Sequence, residues 1–141
     1  MIPRLPQWKP FRNSLSDLRP TVFLPGTLFE FDINSLNIET KANLYNEGNN
    51  PWNELVVSPD NICYGIAYGG INNQGLLYSI NALTNEYEVL YRFDSLNNLG
   101  IYPISLHYHK NNKLIGFAEG DGIYNSAVIF EFDLNNSTYS K

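Results

Sequence analysis

The pattern of apolar and polar residues repeats along most of the chain, with a period of about fifty residues. Residues 26–32 (GTLFEFD) return as residues 75–81 (GLLYSIN) and again as residues 127–133 (AVIFEFD). Each copy carries an aromatic residue and, two positions later, an apolar residue, which places both side chains on one face of a β-strand. Each copy ends in an Asp or Asn, a residue that favours turns. The pattern predicts a tandem β-repeat.

The second half of the unit repeats as well. Residues 55–65 (LVVSPDNICYG) and residues 106–116 (LHYHKNNKLIG) keep the same spacing between leucine and glycine. In each, two β-prone runs flank a polar turn, which is typical of a hairpin. Residues 41–46 and 87–93 alternate enough for a further strand in each unit. One unit therefore contains four short antiparallel strands, and no segment predicts a helix.

Four strands in about 50 residues are the content of one propeller blade. We therefore predict an all-β fold of antiparallel four-stranded blade repeats over residues 26–141, with units starting near residues 26, 75 and 127. This is a partial β-propeller of about two and a third units, and its last unit is incomplete because it ends inside a second strand. Closed propellers have about four to eight blades. We expect either a segment of a longer array or several chains that complete one another.

Residues 1–25 differ from the repeats. They hold five of the eight prolines and show no sustained periodicity, so we predict an extended N-terminal arm. The chain carries a net charge of +3 before residue 30 and −8 from residue 30 onward. A basic arm and an open strand edge predict self-association or a protein partner. Trp8 and Phe11 should dock the arm, either on the same chain or on a partner.

Composition excludes several classes of protein. The net charge of −5 and the pI of about 4.9 argue against a nucleic-acid partner, which needs clustered lysines and arginines. No apolar run reaches the roughly 18 residues of a membrane span, and the N-terminus has no signal-peptide core. Localisation is therefore undecided from composition.

The single Cys63 cannot form an intrachain disulfide, and its position predicts a buried apolar role.

Residues 69–81 (GGINNQGLLYSIN), followed by residues 87–94 (YEVLYRFD), resemble the tandem repeats of bacterial GloVer, or choice-of-anchor, proteins. The resemblance implies a propeller-like fold, a binding role, and an extracellular or cell-surface location. The last unit departs from the family pattern, because Gly120-Asp-Gly122 replaces the Gly-Gly loop. The resemblance also implies an export signal and a C-terminal anchoring domain, and we expect a remainder of the protein to carry them if it is a member, because the 141 residues do not show them.

Two kinds of polar site can be considered. His107 and His109 lie two apart in a strand and could bind zinc or copper with Glu119 as a third ligand. The preceding unit, however, has Val56 and Ser58 at the equivalent positions. We favour solvent-facing histidines, and predict neither a metal site nor a cofactor. Acidic residues could form a glycosidase pair or a calcium site, although turn roles explain them better. They are Asp94, Glu119 and Asp121.

Aromatic residues near loops and strand ends are the candidate contact residues. Exposed rings there could stack on carbohydrate or anchor a protein partner, and packing between blades is the alternative. The candidates are Trp52, Tyr68, Tyr102 and Tyr124.

The sequence contains no catalytic signature. We therefore predict a non-enzymatic binding or scaffold module built from propeller-like blades, as part of a larger array or homo-oligomer. One alternative is an enzyme fragment, such as a glycoside hydrolase, with an active site in the central channel. Another is a structural assembly protein. Sequence alone leaves the ligand, the blade count and the host process open.

Overall fold

The chain folds into three antiparallel β-sheets in a computed structural model, which describes residues 8–11, 26–44, 49–69, 73–97, 100–120 and 126–141. Consecutive strands are neighbours within each sheet. The first sheet contains β1 (Trp8–Phe11), β2 (Thr27–Asp32) and β3 (Asn37–Asn43); the middle sheet contains β4 (Asn49–Val57), β5 (Ile62–Tyr68), β6 (Leu76–Asn81) and β7 (Tyr87–Arg92); the last sheet contains β8 (Ile101–His109), β9 (Lys113–Glu119), β10 (Val128–Asp133) and β11 (Thr138–Ser140). Within these ranges the one helical segment is a 3-10 turn, Ser95–Asn97. No helix in the described part of the chain is long and apolar enough to cross a membrane.

The all-β antiparallel fold predicted from the sequence is confirmed, and the middle and last sheets each have four strands. The two hairpin turns lie where the polar runs predict them, with Asn61, Asn111 and Asn112 in left-handed conformations. One strand boundary was wrong, because β3 begins at Asn37 and not at residue 41. The first four residues of this outer strand are all exposed, and Ile38 is the one apolar residue among them. The sequence therefore has no apolar alternation that would mark the start of the strand.

The sheets and the sequence units are offset by two strands. Residues 26, 75 and 127 come just before β2, β6 and β10, which are the next-to-last strands of the three sheets. A sequence unit therefore begins with two strands of one sheet and continues into the next sheet. In consequence, β10 and β11 complete a four-stranded sheet with β8 and β9.

Part of the proline-rich N-terminal segment belongs to the first sheet. β1 runs antiparallel to β2, with Trp8 opposite Glu30 and Phe11 opposite Thr27. β1 also lies beside β4 of the middle sheet. The rest of the predicted arm, residues 1–7 and 12–25, lies outside the described residues.

Two apolar cores hold the three sheets face to face. Neighbouring residues of β5 and β6 alternate between the cores, so the middle sheet buries both of its faces. A four-stranded sheet cannot cover both of its faces alone, and the adjacent sheets do so here. The first core lies between the first and middle sheets and contains Leu28, Leu44, Cys63, Ala67, Leu76, Tyr78 and Ile80. The second lies between the middle and last sheets and contains Tyr64, Ile66, Leu77, Phe93, Leu114, Ala118, Phe130 and Phe132.

Cys63 is fully buried in the first core, as predicted. Burial, with a smaller contribution from the carboxylate of Glu30, raises the pKa of the Cys63 thiol to about 12. Because the thiolate is the reactive form of cysteine, this side chain acts as an apolar packing residue at neutral pH.

The Asp or Asn that ends each sequence copy closes a turn in its sheet, as predicted. Such side chains mimic a backbone turn by accepting a hydrogen bond from a nearby N–H. In all three sheets the donor lies two residues on: Asn34 donates to Asp32 at 2.8 Å, Leu83 to Asn81 at 2.9 Å, and Asn135 to Asp133 at 2.9 Å.

A glycine of one sheet accommodates a proline of the next sheet, and this contact occurs twice. A Cβ atom on Gly26 would lie 2.0 Å from Cδ of Pro51, and a Cβ atom on Gly75 would lie 2.4 Å from Cδ of Pro103. The two glycines open the first two sequence copies, and the two prolines are buried in β4 and β8. The third copy has Ala127 at this position. The contact therefore fixes how closely adjacent sheets approach.

We expect Gly75→Ala to lower the free energy of unfolding by more than about 1 kcal/mol, because Gly75 has a φ of 101° and no room for a Cβ atom. Gly100→Ala is the matched control. Gly100 has a φ of 96°, but its Cβ would be 3.0 Å from its nearest neighbour, Ala118. Urea unfolding should show the larger loss for Gly75→Ala, with partial recovery in the Gly75→Ala/Pro103→Ala double variant. Equal losses at the two glycines would contradict the glycine–proline contact.

Candidate functional site

Three of the four aromatic residues predicted as contact residues form one row at the junction of the middle and last sheets. Trp52 lies near the start of β4, Tyr68 ends β5, and Tyr102 is the second residue of β8. The ring centroids of Trp52 and Tyr68 are 5.2 Å apart with an edge-to-face geometry. Those of Tyr68 and Tyr102 are 6.1 Å apart. We call these three residues the aromatic row.

The topology explains why these residues meet. β4 and β5 form an antiparallel hairpin in which Asn49 pairs with Tyr68, so the start of β4 lies beside the end of β5. The start of β8 adds the third ring from the next sheet, because β8 packs against both β4 and β5. The aromatic row therefore exists only when the two sheets are docked.

Tyr102 has a left-handed backbone conformation, with a φ of 55°. It lies in a bulge of β8 immediately before Pro103, and Asn50 has the same position and a φ of 54° before Pro51 in β4. Asparagine adopts this conformation readily, whereas for a bulky residue it costs about 1–2 kcal/mol. The strained backbone places the Tyr102 ring beside Tyr68 with 39% of its surface exposed. Such strain is concentrated at functional sites.

Gln74 holds this strained segment in place. Its backbone oxygen accepts a hydrogen bond from the N–H of Tyr102 at 2.8 Å. Its side-chain amide is fixed at both atoms, since Nε2 donates to Oγ of Ser95 at 3.0 Å and Oε1 accepts from the N–H of Ser95 at 2.9 Å. The loop before β6 and the connection before β8 are thereby tied together behind the aromatic row.

The structure separates the residues considered for a metal site. His107 and His109 lie on one face of β8, and His107 is opposite Ile115, whereas Glu119 lies at the far end of β9. Four residues of β-strand span about 13 Å, while zinc ligands lie about 2 Å from the metal. Glu119 is therefore too far from His107 to be the third ligand of the zinc site that we considered and did not favour. The described part of the chain contains no group of three or more His, Cys, Asp or Glu residues that could hold a metal ion.

The acidic residues considered for catalysis do not share one environment. Asp94 has the turn role that we favoured, because its Oδ1 accepts a hydrogen bond from the N–H of Leu96 at 2.5 Å at the start of the 3-10 turn. Glu119 is exposed at the end of β9. Asp121, together with the aromatic candidate Tyr124, lies outside the described residues.

Sequence reasoning missed Gln74 and the bulge at Tyr102. The available signal was the proline that follows the bulge residue in both units, Asn50-Pro51 and Tyr102-Pro103. Proline restricts the conformation of the residue before it, so a repeated X-Pro pair near the start of a strand indicates a special backbone geometry. Nothing in the local sequence around Gln74 indicates its contact with Ser95, which is 21 residues away.

No model of a known protein family matches the chain. A curated relative, pentatricopeptide repeat-containing protein 1, apicoplast, of Plasmodium falciparum, is 29% identical in an alignment of 112 positions, which covers 69% of this chain and 18% of that protein. This chain thus spans less than a fifth of its length.

Among solved structures, the fold is similar to that of TolB from Acinetobacter baumannii, with a TM-score of 0.55 and 17% sequence identity. The match covers 82% of this chain and 26% of the TolB chain, so this chain spans about a quarter of TolB. TolB is a β-propeller protein. At this level of identity the likeness shows the fold alone: the three sheets pack as consecutive propeller-like sheets.

We expect Tyr102→Gly to be more stable than Tyr102→Ala, by about 0.5–1 kcal/mol, because only glycine relieves a left-handed conformation. At an ordinary position in a β-strand, the alanine variant is the more stable of the two. Urea unfolding of both variants measures the difference. At Glu88, an exposed residue of β7, the glycine variant should be the less stable one. If alanine is also the better residue at position 102, the strained conformation of Tyr102 is wrong.

Proposed function

We propose that this chain is a non-enzymatic binding module built from propeller-like sheets, with the aromatic row as its contact surface. The observation that carries the proposal is the strained backbone of Tyr102, which holds a partly exposed ring beside the Tyr68 ring, and Tyr68 in turn contacts Trp52. A packing role alone would not need a bulky residue in a left-handed conformation, since Asn50 satisfies the same backbone geometry in β4. The extracellular or cell-surface location implied by the GloVer resemblance belongs to the same proposal.

The chemistry of the aromatic row favours a neutral oligosaccharide as its ligand. Its three side chains carry no charge at neutral pH, and aromatic rings offer rigid apolar area at a low cost in conformational entropy. The apolar face of a pyranose ring packs against such a surface, while the hydroxyls of Tyr68 and Tyr102 can donate to and accept from sugar hydroxyls. Gln74 and Ser95 keep the surface preorganised, which lowers the cost of binding.

The test is calorimetric titration of the full chain with a panel of neutral hexasaccharides, namely cellohexaose, xylohexaose, maltohexaose and chitohexaose. We expect saturable binding of at least one of them, and no shorter sugars after prolonged incubation. Tyr102→Ala should raise its Kd about tenfold or more, because the exposed ring supplies the stacking surface.

Leu83→Ala is the control, since Leu83 is 78% exposed in the turn between β6 and β7, away from the aromatic row. It should bind as the wild type does. Circular dichroism of each variant verifies that it remains folded. Failure of all four sugars to bind would contradict the carbohydrate assignment, and the appearance of shorter sugars would contradict a non-enzymatic role. Unchanged binding by Tyr102→Ala would remove the aromatic row as the site.

A further inference from the structure

The repeat allows equivalent positions in successive sheets to be compared. Leu28 in β2 and Leu77 in β6 are equivalent, and both are completely buried because the following sheet covers them. Ile129 is the equivalent residue in β10, and it is 59% exposed. In the same way, Ile66 of β5 is completely buried, whereas its counterpart Phe117 in β9 is 46% exposed. The last sheet thus displays the apolar positions that the middle sheet uses to bind its neighbour.

These exposed residues form one continuous surface. Phe117 and Ile129 are directly opposite each other in the pairing of β9 with β10, and Ile115 and Glu131 form the next such pair on the same face. Glu131 and Lys113 lie on this face as well and form an ion pair, with 2.6 Å between Nζ of Lys113 and Oε1 of Glu131. We call the surface formed by Phe117, Ile129 and Ile115 the end face.

The first sheet, at the opposite end of the array, also has apolar residues that no other described sheet covers. Ile80 in the middle sheet is completely buried because the first sheet covers it. Its counterpart in the first sheet, Phe31, is only half-buried. Phe31 pairs across the strands with Ile38, which is 69% exposed. We call the surface formed by Phe31 and Ile38 the start face.

We propose that the end face of one copy of this chain packs on the start face of a second copy, head to tail. The proposal goes beyond the proposed binding role and does not depend on it. The contact would continue the interface already present between the middle and last sheets, with equivalent residues in the same roles. The residues that define the two faces are apolar, and the charges of Glu131 and Lys113 beside the end face are already paired with each other.

Two copies suffice to close the array. Each copy has three sheets among its described residues, so two copies supply six, which is within the range of about four to eight blades in closed propellers. A head-to-tail contact forms a closed ring when its rotation permits. The contact differs from the strand-edge association predicted from the sequence, because it uses the faces of the sheets. It does not involve pairing along the edge of the short outer strand β11.

The test is sedimentation equilibrium of the full chain and of two face variants at micromolar concentrations. The wild type should have twice the monomer mass of 16.1 kDa. Ile129→Glu and Ile38→Lys should each raise the dissociation constant about a hundredfold, because each buries a charge in the apolar contact. Mixing the two variants should restore a single contact, since each retains the face that the other lacks.

Leu83→Glu and Leu36→Lys, at exposed turn positions, are the controls and should associate as the wild type does.

A wild type that stays monomeric at these concentrations would overturn the inference. So would a dimer that only one of the two face variants disrupts, because that result indicates a contact between identical faces. The hexasaccharide titration of Ile129→Glu separates this inference from the proposed function. If Ile129→Glu loses association but still binds the sugar, both the assembly and the binding module stand. If the wild type associates through these faces but binds none of the four sugars, the assembly stands and the carbohydrate assignment fails.

Discussion

Face-to-face burial of the sheets is the constraint on which the rest of this structure depends. Each sheet has apolar residues on both faces, and a sheet in isolation would expose these residues to water. The middle sheet is covered on both faces, because the first core lies on one face and the second core lies on the other. The contacts of Gly26 with Pro51 and of Gly75 with Pro103 set the spacing at which this burial occurs.

The candidate site is a consequence of the same stacking. Trp52 and Tyr68 belong to the middle sheet, whereas Tyr102 belongs to the last sheet, and the bulge before Pro103 aims the Tyr102 ring at Tyr68. Pro103 therefore has two roles, since it packs against Gly75 and ends the bulge that positions Tyr102. A ligand that stacks on the aromatic row would consequently also favour the docked arrangement of the two sheets.

Much of the fold could be predicted because β-strand periodicity and turn chemistry are local. The turns closed by Asp32, Asn81 and Asp133 follow from single residues and the sequence that surrounds them. The grouping of strands into sheets could not be predicted, because a tandem repeat has no intrinsic starting point and the choice depends on long-range hydrogen bonds. For the candidate site, predicted positions near loops and strand ends selected Trp52, Tyr68 and Tyr102, but their mutual contacts depend on packing between sheets, and their role in binding stays a prediction. The resemblance to GloVer repeats stays a prediction.

Native-state hydrogen exchange on dilute protein tests the central claim most directly, because it measures how readily each strand opens. If mutual burial of the sheets stabilises the fold, the amides of β5 and β6 should exchange slowest, only through global unfolding. Those of β9 and β10, in a sheet with one exposed face, should open at a lower free energy. Equal protection of the middle and last sheets, or faster exchange in β5 and β6, would contradict the account.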